Sequence, residues 1–197
     1  ALLHAAGALQ GVEEQAAPKK YLRVLKTVAI EQGDRRVSLA PFAGFKVGFT
    51  IEFRHPVFEQ SETTVDIDFG EVSFAKDVAR ARTFGFTQDV EAMRSAGLGR
   101  GGSLDNAIVV DDFRVLNADG LRFDDEFVKH KALDAVGDLY LSGHPLIGAF
   151  HGHKSGHALN NQLVRALLDD AAAWEAVTFE EARDLPAAFA NILVQPA

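Results

Sequence analysis

The chain contains no cysteine among its 197 residues. Without thiols it cannot form disulfides or thiolate metal sites, so any metal that it binds must be held by nitrogen and oxygen ligands. The absence is compatible with a cytoplasmic protein. Long apolar runs are also lacking, because stretches such as AIVV at 107–110 fall far short of the roughly 20 residues that a membrane-spanning helix needs. The sequence therefore predicts no transmembrane helix.

Positive charge is scarce as well. The sequence holds 20 lysines and arginines against 28 aspartates and glutamates, which gives a formal net charge of -8. Because the basic residues are outnumbered and scattered, nucleic acid is not expected as a partner. What the chain does have is 47% hydrophobic and 24% charged residues. This composition predicts a soluble globular fold with one sizeable domain or two small ones.

The first residues, ALLHAAGALQG, carry neither an initiator methionine nor a basic leader region. No Ser, Thr, Asp or Asn precedes their apolar periodicity, although a helix normally begins with such a cap. The chain is therefore expected to begin inside a helix. We interpret residues 1–17 as the tail of a missing first domain with its linker, and residues 18–197 as a second domain.

The hydrophobic pattern of that second domain predicts strands first and helices later. Alternating segments predict an antiparallel meander of four strands, at 21–30, 35–42, 45–53 and 63–69. Two long helices flank a further strand, and these three elements are predicted at 124–141, 157–175 and 144–153. The pattern predicts an α+β fold, a two-layer sandwich in which a mostly antiparallel sheet carries two long helices on one face.

The middle of the chain predicts smaller elements. Ser73 is a candidate cap for a short helix at 73–81. An inserted strand, helix and strand occupy about 82–110, and this helix is expected to begin at a Thr87 cap and to end at Gly97. The inserted unit is predicted to be a small subdomain.

Two local patterns invite functional interpretations that their context does not favour. GLGRGG at 97–102 has the GxGxxG spacing, but a dinucleotide site needs a strand before it and a helix after it, the reverse of the predicted order. A flexible loop is the better interpretation. His151 and His153 lie on a predicted strand end and are expected to be exposed. His157 begins a helix, whose positive dipole end opposes an imidazolium, so an anionic partner is expected there.

The segment KHKALDAVGD at 129–138 places a histidine and two aspartates at four-residue steps within a predicted helix. Because a helix has about 3.6 residues per turn, His130, Asp134 and Asp138 share one face, while the other faces are mostly apolar. A polar stripe on a mostly buried helix needs compensation for its desolvation. A metal ion provides it, and a helix with a few buried salt bridges explains the spacing equally well. Two ligands are too few for a catalytic zinc, so a third must come from elsewhere.

Four longer motifs carry a specific resemblance to a known family. They are RARTFGF at 80–86, GGSLDNAIVVDD at 101–112, VLNADGLRFDDEFVKHKALDAVGDL at 115–139 and KSGHALNN at 154–161. The motifs resemble the zinc-dependent UDP-3-O-acyl-N-acetylglucosamine deacetylases of lipid A synthesis, and the resemblance covers nearly the whole chain. It implies two similar α+β domains packed helix against helix around the active site, with this chain as the second domain and the tail of the first.

The resemblance also implies roles for individual residues. His130 and Asp134 match two of the three zinc ligands of the family. Asp138 matches an aspartate that hydrogen-bonds the catalytic histidine, here His157. Thr83 matches a threonine that helps to polarise the substrate amide, and Lys131 matches a lysine that contacts the reacting acyl group. The third zinc histidine and the glutamate that activates water belong to a VEH-type motif of the first domain, which is absent from this sequence.

Substrate-binding residues are implied on the same grounds. Phe53 resembles the aromatic residue that stacks on uracil, Glu52 can hydrogen-bond the base, and Lys154 and Arg35 can meet the diphosphate. The inserted unit offers apolar candidates for an acyl passage, namely Phe84, Phe86, Val90, Met93, Leu98, Leu104 and Val109. A small local core explains the helical spacing of Val90 and Met93 almost as well.

The implied function is zinc-dependent removal of the N-acetyl group from UDP-3-O-acyl-N-acetylglucosamine, the committed step of lipid A synthesis in a Gram-negative cytoplasm. Iron can share such a nitrogen and oxygen site. The implied partners are the UDP-linked acylated N-acetylglucosamine and the missing N-terminal domain of the same enzyme, without which this chain is expected to be inactive. The alternative is a noncatalytic nucleotide- or acyl-binding module, because the chain lacks the histidine and the glutamate of the VEH-type motif.

Overall fold

A computed structural model describes residues 17–190 of the chain. The helix tail expected in the first 16 residues lies outside the described residues, so it stays a prediction, as does the division between two domains. Within residues 17–190, no helix is both long enough and apolar enough to cross a membrane.

Nine strands lie within the described part of the chain. They are β1 Lys20–Val24, β2 Val28–Gln32, β3 Arg35–Ala40, β4 Phe45–Thr50, β5 Thr64–Asp68, β6 Thr83–Phe86, β7 Ala107–Val110, β8 Leu146–His153 and β9 Trp174–Thr178. Seven of them form the main sheet around β8, which is antiparallel to β3 and parallel to β1 and β4. β2 pairs with β3, β5 with β4 and β9 with β1, all antiparallel. The predicted, mostly antiparallel sheet is confirmed.

The predicted meander of four successive strands is wrong. β3 pairs with β2 and β8, whereas β4 pairs with β8 and β5 rather than with β3. The single strand predicted at 21–30 is two strands, because Leu25 leaves the ladder and its amide donates to the Ala173 carbonyl at 2.8 Å. β1 therefore joins β8 and β9 while β2 begins a separate hairpin. Alternation of apolar and polar residues indicates a strand, but it does not identify the neighbouring strand in the sheet.

The helical elements follow the predicted order. They are α1 Pro56–Glu59, α2 Thr87–Ser95, α3 Glu126–Leu139, α4 His157–Asp169 and α5 Ala187–Ala190, with a π-helical turn at Phe74–Val78 and 3-10 turns at Tyr140–Ser142 and Ala182–Asp184. Ser73 caps the π-helical turn, because its hydroxyl accepts from the Lys76 amide at 3.4 Å. α1, which was not predicted, begins at a cap provided by the His55 side chain, between the strands predicted at 45–53 and 63–69.

The two long helices pack on one face of the main sheet, as predicted, with α3 against β4 and α4 against β2 and β3. Their apolar faces and the inward side chains of the strands share one core, whose fully buried members include Val37, Leu39, Val47, Phe127, Ala132, Phe150, Leu163 and Leu167. The polar stripe of α3, which consists of His130, Asp134 and Asp138, lies beside this core. These three side chains therefore project from a firmly packed helix.

The inserted unit is a compact strand, helix and strand, as predicted. β6 and β7 are parallel, with Thr83 opposite Ala107, and α2 forms the crossover between them. The Thr87 cap is wrong by one residue, because the helix starts at Thr87 and its cap position is Phe86, which makes no side-chain hydrogen bond there. Gly97 follows the helix with a φ of +74°, a conformation that suits glycine and ends the helix. GLGRGG lies in the loop before β7.

The last strand was missed. The helix predicted at 157–175 ends at Asp169, and β9 begins at Trp174. Asp170 turns the chain, since its carbonyl accepts from the Ala173 amide at 2.8 Å. The alanines of 171–173 have high helix propensity, but pairing with β1 along Lys20–Val24 satisfies an otherwise open strand edge. Pairing with β1 therefore outweighs the helix propensity of these alanines.

Candidate active site

One open groove of about 380 Å³ collects residues from separate parts of the chain. Its walls come from the segment after β4, the start of β6, the middle of α3 and the turn between β8 and α4. It is lined by nine of the predicted site residues, Arg35, Glu52, Phe53, Thr83, Phe84, His130, Lys131, Asp134 and Lys154, together with Ile51, Ser155 and Gly156, to which no role was assigned.

His130 and Asp134 lie one turn apart on α3, and both line the groove. The His130 Nε2 atom lies 3.4 Å from Asp134 Oδ1, and the two side chains are only 15% and 21% exposed. Lys131 donates from Nζ to Asp134 Oδ2 at 3.0 Å. A nitrogen donor and a carboxylate donor therefore converge at the wall of an open groove.

Burial is the main influence on the His130 imidazole. It lowers the pKa of His130, and Lys131 and His157 act in the same direction, whereas Asp134 and the backbone of Ala81 oppose the shift. The Nδ1 atom of His130 is buried and forms no hydrogen bond of ordinary geometry with the described residues. The neutral imidazole that burial favours is the form that binds metals.

His157 and Asp138 meet across the interface of the two long helices. His157 is the first residue of α4, and its Nδ1 atom lies 2.9 Å from Asp138 Oδ1 and 3.0 Å from Oδ2. The His157 side chain is 69% exposed, whereas that of Asp138 is 13% exposed. His157 Nε2 also lies 3.9 Å from Asp134 Oδ2. The imidazole thus projects from a largely buried anchor toward the pair formed by His130 and Asp134.

Phenylalanines form the wall of the groove next to Thr83. Thr83 is exposed at the start of β6, and the ring of the following Phe84 lies 5.6 Å from that of Phe53 and 6.4 Å from that of His130, measured between centroids. Phe53 is 39% exposed. The Phe53 ring is therefore partly exposed at the groove that it lines.

Lys154 lies in the turn that joins β8 to α4, with a φ of +53°. Its Nζ atom forms an ion pair with Asp34 and lies 3.0 Å from Glu52 Oε2. The hydrogen bond to Asp34 and then the one to Glu52 raise the pKa of Lys154, and the same lysine lowers the pKa of Glu52. Arg35 lines the same groove. Two cations and the ring of Phe53 are therefore part of one groove.

The remaining predicted acyl contacts do not line this groove. Phe86 lines a neighbouring cavity of about 310 Å³, and Val90 packs over Gly85 on the inserted unit. Val109 is half-buried in β7. Leu98 and Leu104 are 60% and 50% exposed, and Met93 is 41% exposed. These residues form a surface of the inserted unit, and their proposed contact with an acyl chain stays a prediction.

Two buried polar groups behind the groove were missed by the sequence analysis. Asn160 donates from Nδ2 to Asp138 Oδ2 at 2.8 Å. Arg82 and Glu126 form a bidentate ion pair, with Nε to Oε1 at 2.9 Å and Nη2 to Oε2 at 3.1 Å. A sequence signal existed for Asn160, because it occupies a helix position whose i+3 and i+4 neighbours, Leu163 and Val164, are apolar. No local pattern pairs Arg82 with a residue 44 positions away.

Comparison with known proteins gives consistent matches. A model of the family described as UDP-3-O-acyl N-acetylglycosamine deacetylase matches residues 5–169. A protein of Alcanivorax borkumensis named UDP-3-O-acyl-N-acetylglucosamine deacetylase is 59% identical over 91% of this chain and 59% of its own length. Proteins with the same name from Acidithiobacillus ferrooxidans and Thioalkalivibrio sulfidiphilus are 59% and 58% identical, over 93% and 87% of this chain. The chain spans only 56% to 60% of the length of these three relatives.

Proposed function

This chain belongs to the UDP-3-O-acyl N-acetylglycosamine deacetylase family, and we propose that it is the part of such an enzyme that carries two metal ligands, the general acid and the nucleotide contacts. The substrate is then a UDP-linked, 3-O-acylated N-acetylglucosamine, and the reaction is hydrolysis of its acetamide. The observation that carries the proposal is the groove itself, which is lined by His130, Asp134 and Thr83 together with Phe53, Phe84 and Lys154.

The donor pair fits zinc. Tetrahedral zinc with ligand bonds of about 2.0 to 2.2 Å holds neighbouring donors about 3.3 to 3.6 Å apart. The separation of 3.4 Å between His130 Nε2 and Asp134 Oδ1 lies in that range. No group of three His, Cys, Asp or Glu side chains suited to a metal occurs within residues 17–190. We therefore propose that the third ligand, and the base that activates water, lie in a part of the full-length protein that corresponds to the additional length of the relatives.

Zinc, when bound, supplies a Lewis acid for the acetamide carbonyl and for water. The residues of this chain supply proton transfer and charge. His157, held at Nδ1 by Asp138, presents Nε2 toward the groove and can protonate the departing amine. Asp138 stabilises the imidazolium, which the helix dipole at the start of α4 opposes. Thr83 and Lys131 line the groove with His130 and Asp134, and in this proposal they donate to the carbonyl oxygen as it gains negative charge.

The same groove holds groups that suit the nucleotide. Phe53 offers a partly exposed aromatic ring for uracil, and Lys154 and Arg35 offer positive charge for the diphosphate. Glu52 lies beside Phe53, where it can accept a hydrogen bond from the base. The cytoplasmic location expected from the resemblance stays part of this proposal, and fractionation of a source cell tests it.

Loss of either metal ligand tests the central assignment. In the full-length protein, His130→Ala and Asp134→Ala should lose stoichiometric zinc and reduce deacetylation to background, because two of three protein ligands cannot hold a catalytic zinc firmly. Bound metal is measured by elemental analysis after gel filtration, and turnover by release of acetate.

The matched control is His151→Ala, because His151 is exposed on β8 and lines another surface. It should keep both zinc and activity. Unchanged zinc content and turnover in the His130 and Asp134 variants would contradict the ligand assignment. Tight UDP binding without any hydrolysis by the unmutated full-length protein would instead support the noncatalytic module.

A further inference from the structure

Asn160 is a buried polar residue for which neither the resemblance nor the proposed reaction provides a role. It is 1% exposed and lies three residues after His157, on the buried face of α4. Its Nδ2 donates to Asp138 Oδ2 at 2.8 Å. Its Oδ1 is also buried and accepts no hydrogen bond from any residue in the described range 17–190.

The orientation of this amide follows from its partner. Exchanging nitrogen and oxygen would place Oδ1 against a carboxylate oxygen, which is repulsive, so the donor must face Asp138. The buried Oδ1 then carries an uncompensated desolvation cost. Leucine has a similar size and no polar atom to bury. Stability therefore gives little reason for asparagine here, and the single bond to Asp138 is what distinguishes it from leucine.

That bond controls the geometry of the general acid. Within residues 17–190, Asp138 is the one hydrogen-bond partner of the His157 imidazole, and both of its oxygens lie within 3.0 Å of Nδ1. With 69% of its side chain exposed, His157 has little packing to fix its ring. If the Asp138 carboxylate could rotate, it would therefore no longer hold the His157 imidazole in one orientation. The Asn160 amide, buried in α4, is the group that prevents this rotation.

We propose that Asn160 is a positioning residue that acts through Asp138 to aim His157 at the substrate. The inference rests on the proposed deacetylase function. Because Asn160 touches no substrate, its loss should lower kcat and leave KM unchanged. A hydrogen bond to a charged group is strong enough for its removal to lower kcat by roughly 10- to 100-fold.

The test compares variants of the full-length zinc enzyme. Asn160→Leu should lower kcat by that factor at an unchanged KM, with a Tm equal to or above that of the unmutated protein. Asn160→Ala should lower kcat equally but also lower Tm, because it leaves a cavity. The matched control is Asn161→Leu, because Asn161 accepts a bond from Arg165 at 2.9 Å on the surface of α4. It should keep kcat.

A double variant separates positioning from a general structural effect. In an Asp138→Ala background, adding Asn160→Leu should cost less than twofold in kcat, because the two residues act as a unit. A full additional loss in that background, or losses that follow Tm across the variants, would overturn the inference. An active unmutated enzyme with a fully active Asn160→Leu would overturn this inference alone. Absence of turnover in the unmutated enzyme would overturn the proposed function as well.

Discussion

At the residue scale, the surroundings of Lys154 bear on its proposed contact with the diphosphate. Its left-handed backbone, with a φ of +53°, is uncommon for a residue with a side chain and costs free energy. This turn leads the chain from β8 into α4, and Lys154 lines the groove at this turn. The two carboxylates that hold Lys154 are exposed, at 69% for Asp34 and 58% for Glu52. A diphosphate can therefore replace them without burying an unpaired charge.

Lys154→Met should weaken UDP binding. The variant keeps the side-chain length and the strained turn but removes the cation, so the dissociation constant for UDP should rise by roughly 10- to 100-fold, as expected for a lost hydrogen bond to a charged group. Isothermal titration at low and high salt measures the change, and the salt dependence should become weaker.

Lys46→Met is the matched control for this prediction, because Lys46 forms a comparable ion pair with Asp66 at 2.9 Å but does not line the groove. It should bind UDP as the unmutated protein does. Equal UDP affinities for the Lys154 variant and the Lys46 variant would show that Lys154 does not contact the diphosphate.

At the element scale, the ion pair of Arg82 and Glu126 joins the inserted unit to α3, the helix that carries the two proposed metal ligands. Glu126 opens α3 one turn before His130, and Arg82 precedes Thr83 at the start of β6. The Glu126 carboxylate also accepts from the backbone amides of Arg82 at 3.0 Å and Arg122 at 2.6 Å. Because the two side chains are 2% and 0% exposed, this contact fixes β6 against α3, and Thr83 of β6 and His130 of α3 line the same groove.

Removing one partner of this pair should destabilise the fold. Arg82→Met leaves a buried carboxylate without its cation, which costs about 3 to 5 kcal/mol of unfolding free energy. Adding Glu126→Leu should recover the part of that loss that comes from the unpaired charge, but not all of it, because the backbone amides of Arg82 and Arg122 lose their acceptor. Urea unfolding followed by the fluorescence of Trp174, the single tryptophan of the chain, measures both values. A double variant as unstable as Arg82→Met would contradict this account.

The same pair predicts an acid dependence. Burial alone would raise the pKa of Glu126, but the hydrogen bonds from Arg82 and from the backbone amides outweigh burial and lower the pKa below its ordinary value of 4.5. A lowered folded-state pKa contributes stability above pH 4.5 that is lost as pH falls through the folded-state value. The unmutated protein should therefore lose unfolding free energy relative to Arg82→Met/Glu126→Leu when unfolding is measured at decreasing pH below 4.5. A constant difference would exclude this contribution.

Elements that depend on local periodicity could be predicted from the sequence. Features that depend on a contact with residues distant in the sequence could not. The polar stripe of α3 could be predicted because i and i+4 spacing fixes one helix face. The ending of α4 and the strand β9 could not, because the helix-forming alanines at 171–173 yield to pairing with β1. Asn160 and the Arg82–Glu126 pair were missed for a related reason. Polar residues are assumed to be exposed unless their partners are known, and these partners lie on other elements.

At the scale of the whole molecule, the site is assembled from segments that are distant in sequence and meet where the sheet, the inserted unit and the two long helices adjoin. Under the proposed function, this chain contributes the nucleotide contacts, the general acid and two metal donors. The relatives are longer, since the chain spans 56% to 60% of their length. Binding and hydrolysis should therefore be separable, because the proposed nucleotide contacts lie within this chain whereas no group of three side chains suited to a metal occurs within residues 17–190.

A polypeptide of these 197 residues alone should bind UDP but should not hydrolyse the acetamide. Phe53, Lys154 and Arg35 are all present and share one groove, so UDP affinity should stay within about tenfold of that of the full-length protein, a difference of about 1.4 kcal/mol. Zinc should bind weakly and be removed by gel filtration, because two protein donors are fewer than the three that a catalytic site uses. Isothermal titration with UDP, elemental analysis and an acetate-release assay on the same preparation measure the three properties. Lys154→Met in this shorter chain should raise the dissociation constant for UDP by the same factor of roughly 10 to 100, which would show that the binding observed occurs in the groove. Stoichiometric zinc with measurable turnover would show that the remaining ligand and the base lie within these 197 residues, and that the proposed division of the active site is wrong.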